Sequence, residues 1–417
     1  PMKRILFISR CPPWPLYLGD RLILYHLGQE LALRNYHLDL LAFADRATDW
    51  EEQGHYDMDF QHVELFPEPS RGRLAYLNRV LRPSTRWPTR AEDSWSPEMW
   101  RAIQQRLREH TYDVVHLFGG IQVYEFARAL GDVPTVITPY ESYSLYLRRA
   151  LASQPLLRLP RGEEKSKSPL SSRTLPLYKR FSLRASWYFA RRFESFMFNP
   201  YGRTVVVSEP DRDELLALHP ALKVDFIPNG VDIYDFKPRP VKRIPALLFV
   251  GNYEYAPNVD AAMRLAREIF PAVQARIPGV RLWLVGNAPP PEMQALASEH
   301  IRVTGRVPDV RPYLARAGAL VSPLRLGAGI KNKVLEALAM GCPVIASPLS
   351  VDGIHVVNGQ DALIADGEAM VEAIVRVLGD SELSGRLSTN GARLIREQYS
   401  WGWVAEQYIQ LYDLVGR

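Results

Sequence analysis

The feature that most constrains this chain is an alternation of short β-rich runs with longer helical patterns, carried out twice. Parallel strands joined by crossover helices produce that rhythm, because a parallel partner is reached only over a long connection. Arg4 to Arg10 (RILFISR) reads as a first strand, and residues 21–34 then place Leu24, Leu27 and Leu31 at helical spacing. HLDLLAFA (37–44), YDVVHLFGG (112–120) and VPTVITPYES (133–142) read as further strands. RTVVVSEPDRDELLAL (203–218) is strand, turn and helix, with Ser208 or Asp211 able to cap the helix start. KVDFIPNGVD (223–232) closes this half, and its PNG turn with the following DFKPRPVKRIP reads as a linker. The alternation then restarts. ALLFVG (246–251) precedes a helix over 258–276, VRLWLVG (280–286) a helix near 291–299, and IRVTG (301–305) a helix over 309–317. ALVSP (319–323), the helical KNKVLEALAMG and PVIAS (343–347) complete the set, and SWGWVAEQYIQLYDLV (400–415) reads as a closing helix rich in aromatics.

The expected class is therefore α/β, with two successive Rossmann-like units. A length of 417 residues fits two domains, and 47% hydrophobic with 23% charged side chains excludes a disordered or collagenous chain. Cys11 and Cys342 lie far apart and outside any metal-ligand spacing, which argues against a zinc scaffold or disulfide framework and for a reducing, cytoplasmic compartment. No run approaches the roughly 20 apolar residues of a membrane helix. The chain enters a strand pattern without a signal peptide, so a soluble or peripherally attached protein is expected. The net charge of +5 implies no nucleic-acid partner, yet it is unevenly placed. Residues 143–203 hold thirteen Lys or Arg against three acids, a local +10, and leave the remainder net acidic. Aromatics among these arginines suit an anionic membrane surface. A solvated face with a loop, LPRGEEKSKSPLSSRTLP (159–176), is the other reading.

The chemistry concentrates in VSPLRLGAGIKNKVLEALAMGCPVIASPLSVDG (321–353). Gly327 and Gly329 permit a tight loop and close ligand approach, and a helix starting near Lys331 offers its amide end to an anion. Lys331 and Lys333 add positive charge. Glu336, a turn further on, is suited to accept hydrogen bonds from the vicinal hydroxyls of a ribose. Phosphate cradle, cation and sugar-hydroxyl acceptor together describe a nucleotide-sugar site.

With DVVHL (113–117), IPNGVD (227–232), FVGNYEYAPNVDA (249–261), VTGRVPDVRPYLARA (303–317) and GIKNKVLEALAMGCPVIAS (329–347), the chain resembles the retaining glycosyltransferases of family 4. The resemblance implies the GT-B fold: two facing Rossmann-like domains with parallel sheets and a C-terminal helix crossing back to the first. It implies an acceptor domain over 1–235, a donor domain over 236–399, and a returning helix over 400–417. Gly19, Asn252, Arg325, Gly327, Gly329, Ile330, Lys331, Lys333 and Glu336 would meet the donor, with Gly305, Arg306 and Val307 at its nucleobase. The first Glu of the family's paired motif falls on Ala328, and Asn252 replaces the usual Arg, so Lys331 and Arg325 must supply charge. Tyr140 stands where the family often has His, followed by Glu141 as a candidate base.

What the resemblance implies is hexosyl transfer from a UDP- or GDP-linked sugar to a glycan or lipid-linked acceptor. The anomeric configuration is retained, and amides and Lys331 replace a metal or other cofactor at the leaving diphosphate. Such a protein serves polysaccharide biosynthesis at the inner face of a membrane. His116, ending the apolar run DVVHL, is either structural or a ligand on the acceptor side. A nucleotide-sugar epimerase, a sugar-phosphate synthase and a non-catalytic carbohydrate-binding relative are the alternatives, the last motivated by Ala328, Asn252 and Tyr140.

Overall fold

The computed structural model describes residues 2–16, 19–152 and 177–416, with only the backbone described for 177–180. The loop read over 159–176, within the basic stretch 143–203, therefore lies outside the described residues. The chain divides into two compact units. The first comprises Pro1–Leu145, Ser186–Asn229 and Trp401–Arg417, and the second Tyr146–Ala185 and Gly230–Ser400.

The first unit is built on seven parallel strands: β1 (Arg4–Ser9), β2 (His37–Ala44), β3 (His62–Pro67), β4 (Val114–Phe118), β5 (Thr135–Tyr140), β6 (Arg203–Val206) and β7 (Val224–Phe226), in the order β3-β2-β1-β4-β5-β6-β7. The second has six: β8 (Ile244–Val250), β9 (Arg281–Val285), β10 (Ile301–Val303), β11 (Ala317–Ser322), β12 (Val344–Ala346) and β13 (Leu363–Ile364), ordered β10-β9-β8-β11-β12-β13. Every pairing between these strands is parallel. The central strands are apolar along both faces, and all residues of β4 and β11 are buried, as sheets covered by helices on both sides require. Each fully buried Phe or Leu of these cores contributes about 1.5–3 kcal/mol.

Local signals account for most boundaries. The helix Glu209–Leu218 starts at Ser208, whose side chain accepts from the Asp211 amide. That settles the cap on Ser208, and Asp211 instead accepts from the Ser142 amide at 2.8 Å. The helix expected over 258–276 runs from Ala256 to Arg276 with a π-helical turn at Leu265–Ile269. The helix expected near 291–299 is one turn, Pro291–Gln294. The backbone then leaves through tight turns from Leu296 to Met293 and from Ala297 to Gln294, and Ser298 Oγ accepts from Ile301 N.

The helix Trp401–Val415 belongs to the first unit, where it packs on the helix Gly19–Leu33. Trp401 stacks on His26 at 4.8 Å, and Glu406 accepts from Arg34. Among the described residues no helix is long and apolar enough to cross a membrane.

Candidate donor site at the switch point of the second sheet

In the second unit the chain builds β8, β9 and β10 outward in one direction and then returns to lay β11, β12 and β13 on the other side of β8. The reversal lies between β8 and β11. Open parallel sheets bind ligands at such a point, because the loops leaving the two strands at their carboxyl ends diverge and leave a crevice. The two loops here are the stretch after Val250 and the glycine loop after Ser322, which carry most of the donor-site candidates.

The base of the glycine loop is held by buried hydroxyls. Ser322 Oγ donates to Ser350 Oγ at 3.0 Å, Ser350 Oγ lies 2.7 Å from the Ser322 carbonyl, and Ser347 Oγ donates to the Leu324 carbonyl at 2.5 Å. Above this base Gly327 (φ 130°) and Gly329 (φ 64°) take backbone conformations that disfavour side chains. The bend delivers Lys331 to the start of the helix Asn332–Ala339. Lys331 is buried, and its Nζ donates to the carbonyls of Ala328, at 3.0 Å, and Gly329. An ammonium is thus held inside the bend at the positive end of a helix.

Lys333 and Glu336 follow on this helix, both half-buried. Lys333 Nζ lies 4.2 Å from the centre of the Phe249 ring and donates to Asn258 Oδ1 at 2.5 Å. Asn258 Nδ2 in turn donates to the Asn252 carbonyl at 2.8 Å. The helix that follows the glycine loop is therefore tied to the loop after Val250 by one chain of polar contacts. Burial, reinforced by Lys331, lowers the Lys333 ammonium to about 7, and burial raises the Glu336 carboxyl to about 7 against the opposing pull of Lys333.

Arg325 forks onto Asp260 with two contacts of 2.8 Å, so its charge has a carboxylate partner within the fold. Ile330 is half-buried and packs against the core beneath the loop. Gly305, Arg306 and Val307 follow β10, two strands from the switch, where Gly286 N donates to the Gly305 carbonyl at 3.2 Å. Gly286 is forced to be glycine: a Cβ there would lie 1.7 Å from the Gly251 carbonyl oxygen.

The remaining candidates lie in the first unit. Gly19 is exposed at the start of its helix, and the neighbouring Asp20 pairs with Arg10 at the end of β1. Tyr140 ends β5 with φ 70°, a left-handed backbone that a bulky residue adopts only under constraint. Burial pushes its phenol well above the ordinary value. Glu141 follows directly. His116 calls for a correction: it is fully buried, with Nδ1 2.7 Å from Tyr412 Oη, Nε2 2.8 Å from Thr138 Oγ1 and its ring stacked on Phe118. Nδ1 serves the packing of the Trp401–Val415 helix and Nε2 bonds the neighbouring strand β5, which leaves neither for an acceptor.

Sequence reading missed the residues that hold the candidates in place. Asn258 and Asp260 sit in the helix after β8, and Arg149 donates to the Gly327 carbonyl at 2.9 Å while pairing with Asp352 at 2.7 Å. Their only signal in the sequence is a polar residue type, and each acts across 65 residues or more.

The sequence profile of "Glycosyltransferase Family 4" matches residues 22–234, and that of "Glycosyl transferases group 1" matches 244–380. A lipopolysaccharide core biosynthesis glycosyltransferase, LpsE, of Rhizobium meliloti is 31% identical over 149 residues, 33% of this chain and 43% of that protein. A GDP-mannose-dependent alpha-(1-6)-phosphatidylinositol monomannoside mannosyltransferase of Mycobacterium tuberculosis is 27% identical over 214 residues, 45% of this chain and 55% of that protein. The chain thus spans about half the length of these curated relatives. In fold it is similar to sucrose-phosphate synthase of Thermosynechococcus elongatus (TM-score 0.66, 18% identity, 99% of both chains). It is also similar to Anabaena Alr3699/HepE in complex with UDP and glucose (TM-score 0.64, 16% identity, 99% of this chain and 100% of that one). With a family profile matched across half the chain and two doubly wound parallel sheets in the GT-B plan, the protein belongs to Glycosyltransferase Family 4.

Proposed function

We propose that this protein transfers a hexosyl group from a nucleoside diphosphate sugar to a glycan or lipid-linked acceptor with retention of anomeric configuration. The observation that carries the proposal is the Lys331 ammonium, held by loop carbonyls at a helix start beside the switch point, with Lys333 and Glu336 on the same helix. The diphosphate binds against the Gly327–Lys331 bend, and Glu336 receives the ribose hydroxyls. Cleavage of the sugar–phosphate bond leaves negative charge on the departing oxygen. A preorganised donor aimed at such charge contributes about 3 kcal/mol, and an arriving diphosphate favours the charged form of Lys333. The reaction needs no metal on this reading. In the first unit Tyr140 and Glu141 meet the acceptor, a role supported by the constrained backbone at Tyr140.

The relatives are named for lipopolysaccharide core biosynthesis and phosphatidylinositol monomannoside mannosyl transfer, which supports a lipid-linked acceptor and peripheral attachment to an anionic membrane surface. Exposed Phe181, Tyr188 and Phe189 beside exposed Arg184, Arg191 and Arg192 on the helix Leu177–Met197 support the same reading.

Thermal stabilisation by UDP, GDP, ADP and their sugars tests the donor assignment. One nucleotide at 100 times its dissociation constant should add about 2.7 kcal/mol. Incubation of the stabilising donor with EDTA, with and without candidate acceptors, then tests transfer, and the anomeric coupling constant of the product reports retention. Stabilisation by none of the nucleotides refutes the donor site, and binding without hydrolysis or transfer favours a non-catalytic relative.

A further inference from the structure

The amino edge of the second sheet, at the opposite strand ends from the switch-point crevice, holds a second concentration of charge. Arg281 opens β9, Arg302 lies in β10 with His300 just before it, and Arg316 ends the helix Arg311–Arg316 that leads into β11. The registers Arg302↔Trp283 and Ala246↔Arg281 put Arg281, Trp283 and Arg302 on one face of the sheet. These residues and Glu299 line a cavity of ≈ 250 Å³. Trp283 gives the cavity an aromatic wall and is backed by Tyr313, which it meets edge-on at 5.7 Å; the Arg302 guanidinium lies 6.0 Å from the Tyr313 ring.

Three arginines therefore share a small concavity with one carboxylate. Among the described residues none of the three forms an ion pair. A fourth guanidinium engages the carbonyls at the end of the Arg311–Arg316 helix. Arg243 donates to the carbonyls of Leu314, Ala315 and Ala317, at 3.0, 3.2 and 2.9 Å. Like charges gathered this way repel one another, and an anion relieves the repulsion. Guanidinium groups favour phosphoryl oxygens, which they bind in pairs of parallel hydrogen bonds. The volume falls below the roughly 300–1,000 Å³ of ordinary ligand pockets, so it suits a phosphoryl group with a small carrier.

We propose that this cavity is a binding site for a phosphoryl-bearing anion, separate from the donor site. The arginines clamp the phosphoryl oxygens, and the Trp283 ring receives the carrier. A free sugar phosphate and a lipid phosphomonoester share this chemistry.

Pyrophosphate is the probe, and amide hydrogen exchange on the full chain is the readout. Pyrophosphate should slow exchange in peptides covering 280–284 and 300–304, in wild type and in Lys331→Ala alike. Arg281→Glu with Arg316→Glu should weaken this effect at least tenfold while leaving stabilisation by the donor nucleotide unchanged. Should charge reversal lower the unfolding midpoint, Arg281→Gln with Arg316→Gln serves in its place. Competition by glucose 1-phosphate, or by vesicles with and without phosphatidic acid, then identifies the source, and either competitor supports the site. Unchanged exchange at both peptides in wild type, or equal protection in the arginine variants, overturns the proposal.

Discussion

The pairing of Arg325 with Asp260 gives a sharp test, because the sequence assigns the arginine to the donor while the fold engages it with a carboxylate. The two contacts are each 2.8 Å, and the side chains are 19% and 12% exposed. A hydrogen bond to a charged group contributes about 1.5–3 kcal/mol, and the residual solvent contact moves a bidentate pair toward the lower end. Arg325→Gln should therefore destabilise the second unit by about 2 kcal/mol, much of it from the Asp260 charge left without its partner. At about 2–4 °C per kcal/mol for a unit of this size, the unfolding midpoint falls by about 4–8 °C. Asp260→Asn should cost a similar amount, and the double variant less than the sum, with a coupling above about 1 kcal/mol. Nucleotide affinity, measured by calorimetry on the same proteins, should change less than about threefold, or about 0.7 kcal/mol. Additive destabilisation refutes the clamp. A tenfold loss of affinity at unchanged midpoint would return Arg325 to the donor.

Three further outcomes are expected. Lys331→Ala should weaken diphosphate binding at least tenfold and Glu336→Ala should weaken nucleoside binding; calorimetry with pyrophosphate and with the free nucleoside separates the two, and unchanged affinity in both variants removes the site assignment. Gly286→Ala, which drives a Cβ into the Gly251 carbonyl, should destabilise the second unit by more than about 2 kcal/mol; a midpoint within 2 °C of wild type, roughly 0.5–1 kcal/mol, contradicts that. The buried Glu194 accepts from Ser142 Oγ and from the amides of Tyr143 and Ser144, and burial raises its carboxyl to about 7. Because the folded value lies above the unfolded one near 4.5, its contribution of about 3 kcal/mol is present below pH 4.5 and lost as pH rises through 7. Glu194→Gln should flatten the fall in urea-unfolding stability between pH 5 and 8; an identical slope would show that the carboxyl does not titrate there.

What the sequence made legible follows from where information is local. The central strands were readable because runs such as ILFIS and AGALVS are buried along their whole length. The glycine loop was readable because cradle, cations and carboxylate fall within ten residues, from Gly327 to Glu336. By contrast β3 escaped notice, since HVELFP is an edge strand buried only at Leu65 and Phe66, and β13 is two residues long. The helix Pro291–Gln294 was overextended because three prolines announce a start and nothing nearby announces a stop. The role of His116 was undecidable locally, because Tyr412, the partner of its Nδ1, lies 296 residues away. Asp260, Asn258 and Arg149 were invisible for the same reason: their meaning resides in a partner that only the fold supplies.

That distance between His116 and Tyr412 bears on how the molecule is made. The first unit is assembled from three separate stretches of chain, with the second unit synthesised before the last of them emerges. Until the helix Trp401–Val415 arrives, the faces of β4 and of the Gly19–Leu33 helix that receive it lie open, His116 lacks Tyr412 and His26 lacks Trp401. The second unit needs only one excursion, so it is free to close on the ribosome while the first waits. A nascent chain stalled before residue 401 should therefore show a protease-resistant second unit beside a first unit still open to cleavage, an order of maturation opposite to the order of synthesis.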